Sequence, residues 1–119
     1  MLFQKEHVLL ILQGKKTQTR RLWQRPMVKV GGTYWAETKM FRPSSRFARL
    51  TVIRLWKERL EDISEKDARA EGYTSVASFL TAFATINRIR RDLSWLRERV
   101  TCVELELAPA GEEKEVVAP

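Results

Sequence analysis

One ten-residue run in the middle of the chain constrains the fold more than any other segment. Residues 47–56 read Phe-Ala-Arg-Leu-Thr-Val-Ile-Arg-Leu-Trp, which is rich in β-branched and aromatic side chains and has few polar interruptions. This composition is typical of a strand inside a sheet that is covered on both faces. The run therefore predicts a central β-strand, and the other elements are expected to pack around it.

Shorter strands are predicted on both sides of this run. Residues 17–23 favour an extended backbone that ends at Pro26, because proline cannot continue a strand ladder. The turn at Gly31-Gly32 introduces a second candidate strand at residues 33–40. Residues 100–107 alternate apolar and acidic side chains, and residues 1–3 predict a short initial strand or lead-in.

Helical patterns lie before and between these strands. Residues 5–13 have apolar side chains at helical spacing, which predicts a helix packed on the core and ended by Gly14. Ser64 to Asp67 form a pattern like a capping box, and residues 76–86 carry an apolar stripe. Together the elements predict one α+β domain at residues 1–108 that closes as a small barrel, followed by a flexible tail at residues 109–119.

The charge of the chain is unevenly distributed. Of the 119 residues, the first fifty carry eleven Lys or Arg against two Glu, so the whole excess behind the net charge of +7 lies there. Aromatic residues such as Trp23, Tyr34 and Trp35 are interleaved with these cations. This mixture is typical of surfaces that hold phosphates and stack bases, and it indicates a nucleic acid or a nucleotide as the partner.

Cysteine and histidine usage restricts the chemistry further. The single Cys102 excludes a disulfide within the chain, and with His7 as the one other soft ligand no metal site is predicted. His7 itself is interpreted as an ordinary polar residue. No cofactor is expected, no apolar run is long enough to span a bilayer, and a cytoplasmic location is the simplest expectation.

A basic segment at residues 14–21, the basic motif, concentrates four cations and two threonines. In a regular strand, Thr19 and Arg21 face one side while Lys16 and Arg20 face the other. A solvated surface is the competing interpretation of such a segment. The predicted nucleic-acid-binding residues are Lys15, Lys16, Arg20, Arg21, Trp23 and Arg25.

The basic motif, read as Gly14-x-Lys16-x-x-Thr19-x-Arg21, resembles the Gly-x-Lys-x-x-Glu-x-Arg signature of the ASCH family in the PUA-like superfamily, with Thr19 where Glu is common. The Gly31-Gly32 turn and the segment at residues 70–73 support the resemblance, which covers about residues 1–107. It implies a small PUA-like β-barrel of about five to six strands with helices covering its openings. It also implies RNA or nucleotide binding in a cationic cleft.

A subgroup similar to bacterial N4-acetylcytidine amidohydrolases has a threonine in this signature. The resemblance then implies Lys16 as proton acceptor, Thr19 as nucleophile and Glu71 as proton donor. Strand alternation requires Lys16 to precede the strand, or a bulge to intervene, before Lys16 and Thr19 can act together.

Several functions therefore remain open from the sequence. Binding of RNA or a nucleotide is the first hypothesis, and deacylation of N4-acetylcytidine-type nucleosides or cleavage of RNA is the alternative. A protein-interaction role through Trp23 or Trp35 is a further possibility. Whether the chain is an enzyme, what its natural ligand is and which oligomeric state it adopts are left open.

Overall fold

A 14-residue strand forms the centre of the sheet in the computed structural model, which describes residues 1–90 and 92–109. This strand, β3 (Arg46–Arg59), contains the predicted run and extends beyond both of its ends. It pairs with β2 (Thr33–Glu37) on one side and with β4 (Arg99–Leu107) on the other, and β1 (Gln18–Arg21) pairs with the far edge of β4. These pairings give the order β1-β4-β3-β2 across the curled sheet, and all three are antiparallel.

The α+β class is confirmed, whereas the expected five to six strands are not. The described residues form four strands, and the N-terminal segment adds a single parallel bridge between Leu2 and Glu37. The Phe3 amide donates to the Glu37 carbonyl at 2.8 Å, and Arg21 Nη2 donates to the Leu2 carbonyl at 2.6 Å. The segment that was predicted as a strand or lead-in thus connects β2 with β1 without becoming a full strand, because it pairs at one residue only.

The described residues contain three α-helices and four short 3₁₀ segments, which precede or join the strands. The first helix has only five residues, and the other two begin with serine side chains that accept the free amides of their first turn, Ser64 from Asp67 and Ser75 from Ser78. The α-helices are α1 (Val8–Leu12), α2 (Glu65–Ala70) and α3 (Val76–Ile86). The 3₁₀ turns are Lys5–His7, Pro43–Ser45, Leu60–Asp62 and Leu93–Arg97.

Two apolar clusters hold these elements on the sheet. One packs Phe3 and Ile11 against side chains of β2, β3 and β4, and the other packs Phe79, Phe83 and Trp95 of the helical half against the other end of the sheet. In α1 only Ile11 is buried, whereas Leu9 and Leu12 are exposed. The helix therefore packs on the core as predicted, but it does so through Ile11 while Leu9 and Leu12 face solvent.

Most of the predicted tail lies outside the described residues, since only its first residue, Pro109, falls within them. Within residues 1–90 and 92–109, no helix combines the length and apolar character needed to cross a membrane.

Candidate functional site

A pocket of about 230 Å³ lies where the N-terminal segment, β1, the end of α2 and α3 meet. Lys16, Thr19, Arg20, Arg21 and Glu71 form its polar end. Its opposite wall is aromatic and apolar, and contains Tyr73, Phe79, Phe83 and Ile86. The pocket therefore joins the basic motif to the segment at residues 70–73, two regions about fifty residues apart in the sequence.

Lys16 lies just before β1 and is almost completely buried. Its Nζ donates to the Gln18 carbonyl at 2.9 Å, to the Glu71 carbonyl at 2.6 Å and to Glu71 Oε1 at 3.1 Å. Burial lowers the pKa of Lys16 because the charged ammonium loses its hydration, and this effect outweighs the opposing ion pair with Glu71. The position before the strand allows Lys16 to share the pocket with Thr19, as the strand alternation required.

Arg20 and Glu71 form the most deeply buried ion pair of the site. Arg20 Nη1 donates to Glu71 Oε2 at 2.9 Å, while the other carboxylate oxygen of Glu71 contacts Lys16. Arg20 also lies 3.3 Å from Glu58 and 3.4 Å from Asp67, measured from Nη2 to the carboxylate oxygens. Glu71 is thus held from both sides by cations, which fixes the direction of its carboxylate.

Glu58 and Asp67 were not predicted from the sequence as members of this network. A signal for Asp67 exists, because it precedes Glu71 by four residues and α2 brings such residues onto one face. Glu58 has no comparable local signal, since only the pairing of β3 with β4 and of β4 with β1 brings it near Arg20.

Thr19 and Arg21 lie on the other face of β1. Arg21 Nε donates to Thr19 Oγ1 at 3.0 Å, and the guanidinium stacks 4.9 Å above the ring of Phe3. Burial lowers the pKa of Arg21 to about 10, so the side chain still carries its charge at neutral pH. No carboxylate of residues 1–90 or 92–109 lies within 4.0 Å of the Arg21 guanidinium, in contrast to Lys16 and Arg20.

The aromatic wall continues a chain of ring contacts that begins at His7. The His7 and Tyr73 rings meet edge to face at 5.4 Å, and Tyr73 meets Phe79 in the same way at 5.7 Å. Burial, together with the nearby charge of Lys16, lowers the pKa of His7 to about 4, so this ring is neutral at pH 7. The sequence indicated an ordinary polar role for His7, whereas its side chain is buried and lines the pocket.

The remaining predicted nucleic-acid-binding residues lie outside the pocket. Lys15 and Arg25 are exposed. Trp23 is partly buried, and the Arg21 guanidinium lies 5.8 Å from the centre of its ring. In the part of the chain that the structure describes, no three His, Cys, Asp or Glu side chains are grouped as a metal site.

Comparisons with known proteins identify solved structures that share this fold. No family model and no curated protein matches the sequence. An ASCH domain from Lactobacillus crispatus superposes with a TM-score of 0.65 at 16% identity, over 84% of this chain and 69% of that one. The ASCH protein of Zymomonas mobilis gives 0.60 at 17% identity over 99% and 77%, and a protein from Enterococcus faecalis gives 0.61 at 17% over 87% and 70%. The chain therefore has the fold of the ASCH domains, which the resemblance to that family implied.

Proposed function

We propose that this chain binds a nucleoside, or one unstacked nucleotide of RNA, in the pocket between β1 and α3. The observation that carries the proposal is the meeting of two kinds of surface in a single cavity. Tyr73 and Phe79 offer an aromatic wall, and Thr19, Arg21 and Glu71 offer donors and acceptors at the other end. A nucleobase has the matching pair of features, an apolar face that stacks and a polar edge that forms hydrogen bonds.

The size of the pocket supports a ligand of this scale. Sites for drug-sized molecules usually enclose about 300–1,000 Å³. The cavity here is smaller, at about 230 Å³, and is therefore suited to one nucleoside rather than to several stacked nucleotides. Longer RNA would have to leave through its open side.

The charges of the site predict that the affinity for a mononucleotide depends only weakly on salt concentration. Lys16 and Arg20 are neutralised by Glu71 and its neighbours, so Arg21 is the lining cation that remains for a phosphate among the described residues. For a single-stranded ligand, each neutralised phosphate contributes a slope of about −0.7 to a plot of log affinity against log salt. We expect a 5′-mononucleotide to give a slope close to that of one phosphate.

Calorimetric titration of the protein with the four 5′-mononucleotides, with cytidine and with N4-acetylcytidine tests this proposal. Arg21→Gln is expected to weaken binding of the best mononucleotide about tenfold, because a charge-assisted contact is lost. Arg54→Gln is the matched control, since Arg54 is exposed and pairs with Glu104 away from the pocket. Absence of binding by the folded wild-type protein, or an equal loss in both variants, would overturn the proposal.

Hydrolysis of an N4-acylated cytidine is a second candidate function. Its specific support is that Lys16, Thr19 and Glu71 line the same pocket and that burial lowers the pKa of Lys16. In this reaction Thr19 Oγ1 would attack the acyl carbonyl while its proton passes to Lys16. The C–N bond would then break, a proton from Glu71 would reach the leaving amine, and water would hydrolyse the acyl ester to free the carboxylic acid.

The contacts of Lys16, Thr19 and Glu71 show which proton transfers this reaction would require. Lys16 Nζ donates to three oxygens, so it must lose a proton before it can accept one from Thr19. Thr19 Oγ1 accepts a hydrogen bond from Arg21, which stabilises negative charge on this oxygen. Glu71 contacts two cations and would have to take up a proton before it donates one.

Incubation with N4-acetylcytidine, followed by chromatography, tests the second candidate. Thr19→Val keeps the shape of the side chain and removes the hydroxyl, so conversion to cytidine is expected to stop while cytidine binding persists. Conversion at the wild-type rate by Thr19→Val would exclude this residue as the nucleophile. Parallel incubation with RNA measures cleavage, the other hydrolytic function that the sequence left open.

A further inference from the structure

The loop between β2 and β3 exposes an aromatic side chain in an unusual backbone conformation. Phe41 is 91% exposed and has a φ of 56°. Positive φ is uncommon for residues other than glycine and is a strained conformation for a bulky side chain. In a loop that binds nothing, a strained and exposed phenylalanine adds no stability. In a binding surface, its ring can stack on a ligand.

The rest of the loop, residues 38–45, holds this conformation in place. Ser45 Oγ accepts a hydrogen bond from the Lys39 amide at 3.1 Å, and its hydroxyl lies within 3.0 Å of the Lys39 carbonyl and 2.7 Å of the Arg42 carbonyl. A 3₁₀ turn at Pro43–Ser45 follows directly. The Phe41 ring is therefore presented to solvent by an ordered turn, which reduces the entropy lost when a ligand stacks on it.

Three cations lie close to Phe41 in the sequence. Lys39 and Arg42 are exposed and form no ion pair with the described residues 1–90 and 92–109. Arg46, the first residue of β3, stacks 5.1 Å above the ring of Trp35 and lies 3.9 Å from Glu37. Between residues 38 and 46 the sequence contains these three cations and no acidic residue.

The loop begins beside the pocket. Glu37 forms the bridge with Leu2, and Leu2 and Phe3 line the pocket. Four residues of extended chain span at most about 14 Å, so Phe41 lies within that distance of Glu37. A short single strand of RNA can therefore reach from the pocket to the loop.

We propose that the loop at residues 38–45 is a second nucleotide site, in which Phe41 stacks on an unpaired base while Lys39 and Arg42 bind the adjoining phosphates. This inference rests on the proposed pocket function, and it identifies the partner as single-stranded RNA rather than a free nucleoside. An exposed aromatic ring among unpaired cations is the combination with which proteins hold single strands without reading their sequence. A protein partner would bring neither the row of phosphates nor the stacked bases that these groups suit.

Fluorescence anisotropy with the four homohexamers of RNA, beside calorimetry with the four 5′-mononucleotides, tests the inference on the 119-residue chain. Phe41→Gly is the decisive variant, because glycine relieves the positive φ while it removes the ring. We expect this variant to unfold at the same temperature as the wild type or higher, to bind hexamers about tenfold more weakly and to bind mononucleotides unchanged. Phe41→Trp is expected to keep hexamer affinity, and Leu93→Ala, another exposed apolar residue outside the loop, serves as the control.

Salt dependence supplies a second readout. The hexamer is expected to give a steeper salt slope than the mononucleotide, by about 0.7 for each extra phosphate contact, and Lys39→Gln with Arg42→Gln is expected to remove the difference. Equal hexamer affinity in Phe41→Gly and the wild type would overturn the inference, as would hexamers that bind no more tightly than mononucleotides. In both cases, binding of mononucleotides would still support the proposed pocket function. Binding of a protein by the loop in place of RNA would contradict the second nucleotide site.

Discussion

Lys16 meets Glu71 at two points, since its Nζ donates to the backbone carbonyl at 2.6 Å and to the carboxylate at 3.1 Å. Beside this contact, the Thr17 amide donates to the Ala70 carbonyl at 2.8 Å. The end of α2 is thereby attached to the residues that lead into β1. The position of the pocket's polar end depends on this junction, because both the lysine and the glutamate are buried in it.

Replacement of Glu71 by glutamine is expected to destabilise the fold. Glu71→Gln keeps the volume of the side chain but leaves Lys16 and Arg20 with less compensation for their buried charges. Removing one partner of such a pair usually costs about 3–5 kcal/mol, and we expect a loss of about 3 kcal/mol in urea denaturation. Glu104→Gln is the matched control, because its partner Arg54 is exposed and the loss there is expected to stay below about 1 kcal/mol. Similar losses in the two variants would contradict the structural role of the buried pair.

Gly72 is expected to tolerate alanine less well than Gly14 does. Both glycines have positive φ, at 101° and 72°, but a Cβ at Gly72 would approach Leu10 Cδ1 to 3.1 Å while a Cβ at Gly14 would meet nothing within 4 Å. We expect Gly14→Ala to lower the free energy of unfolding by about 1 kcal/mol and Gly72→Ala by about 2 kcal/mol. Equal effects in thermal denaturation would show that the space beside Gly72 is not restrictive.

The buried His7 is expected to make stability depend on pH. The pKa of His7 is about 4 in the folded chain, below its ordinary value of 6.5, so the unfolded chain binds the extra proton between these two values. Stability is therefore present above pH 6.5 and is lost as the pH falls towards 4. From pH 7 to pH 5 we expect the wild type to lose about 1 kcal/mol more than His7→Gln, after allowance for solvent screening. Parallel losses in urea titrations of the two proteins would disprove this role.

The thiol of Cys102 is expected to be unreactive until the protein unfolds. Burial raises the pKa of this thiol to about 12, and the residue has no exposed surface. Alkylation needs the thiolate and access to it, so labelling by iodoacetamide at pH 8 is expected to be at least about 100-fold slower in the native protein than in urea. Rapid labelling without denaturant would show that β4 opens locally at this position.

Local patterns were sufficient for the central features of the fold. The resemblance of the basic motif to the ASCH signature predicted the fold that the comparisons found. The β-branched run predicted β3, the capping pattern at Ser64 predicted the start of α2, and the apolar stripe predicted α3. These features depend on short-range steric and hydrogen-bonding preferences, which neighbouring residues express by themselves. The number of strands was not predictable in this way, because whether Met1–Phe3 becomes a strand depends on how much of β2 it pairs with.

The sequence alone indicated the candidate site residues, since the cations and hydroxyls of the basic motif are visible without coordinates and the family resemblance added the glutamate at position 71. Only the tertiary structure decided which of these charged groups are paired and which are buried. It placed Glu58 and Asp67 beside Arg20, buried His7 in the pocket wall and left Arg21 without a carboxylate among the described residues. The physical reason is that the charge and the pKa of a buried group depend on its neighbours in space and on its loss of water, and strand pairing brings those neighbours from distant parts of the chain.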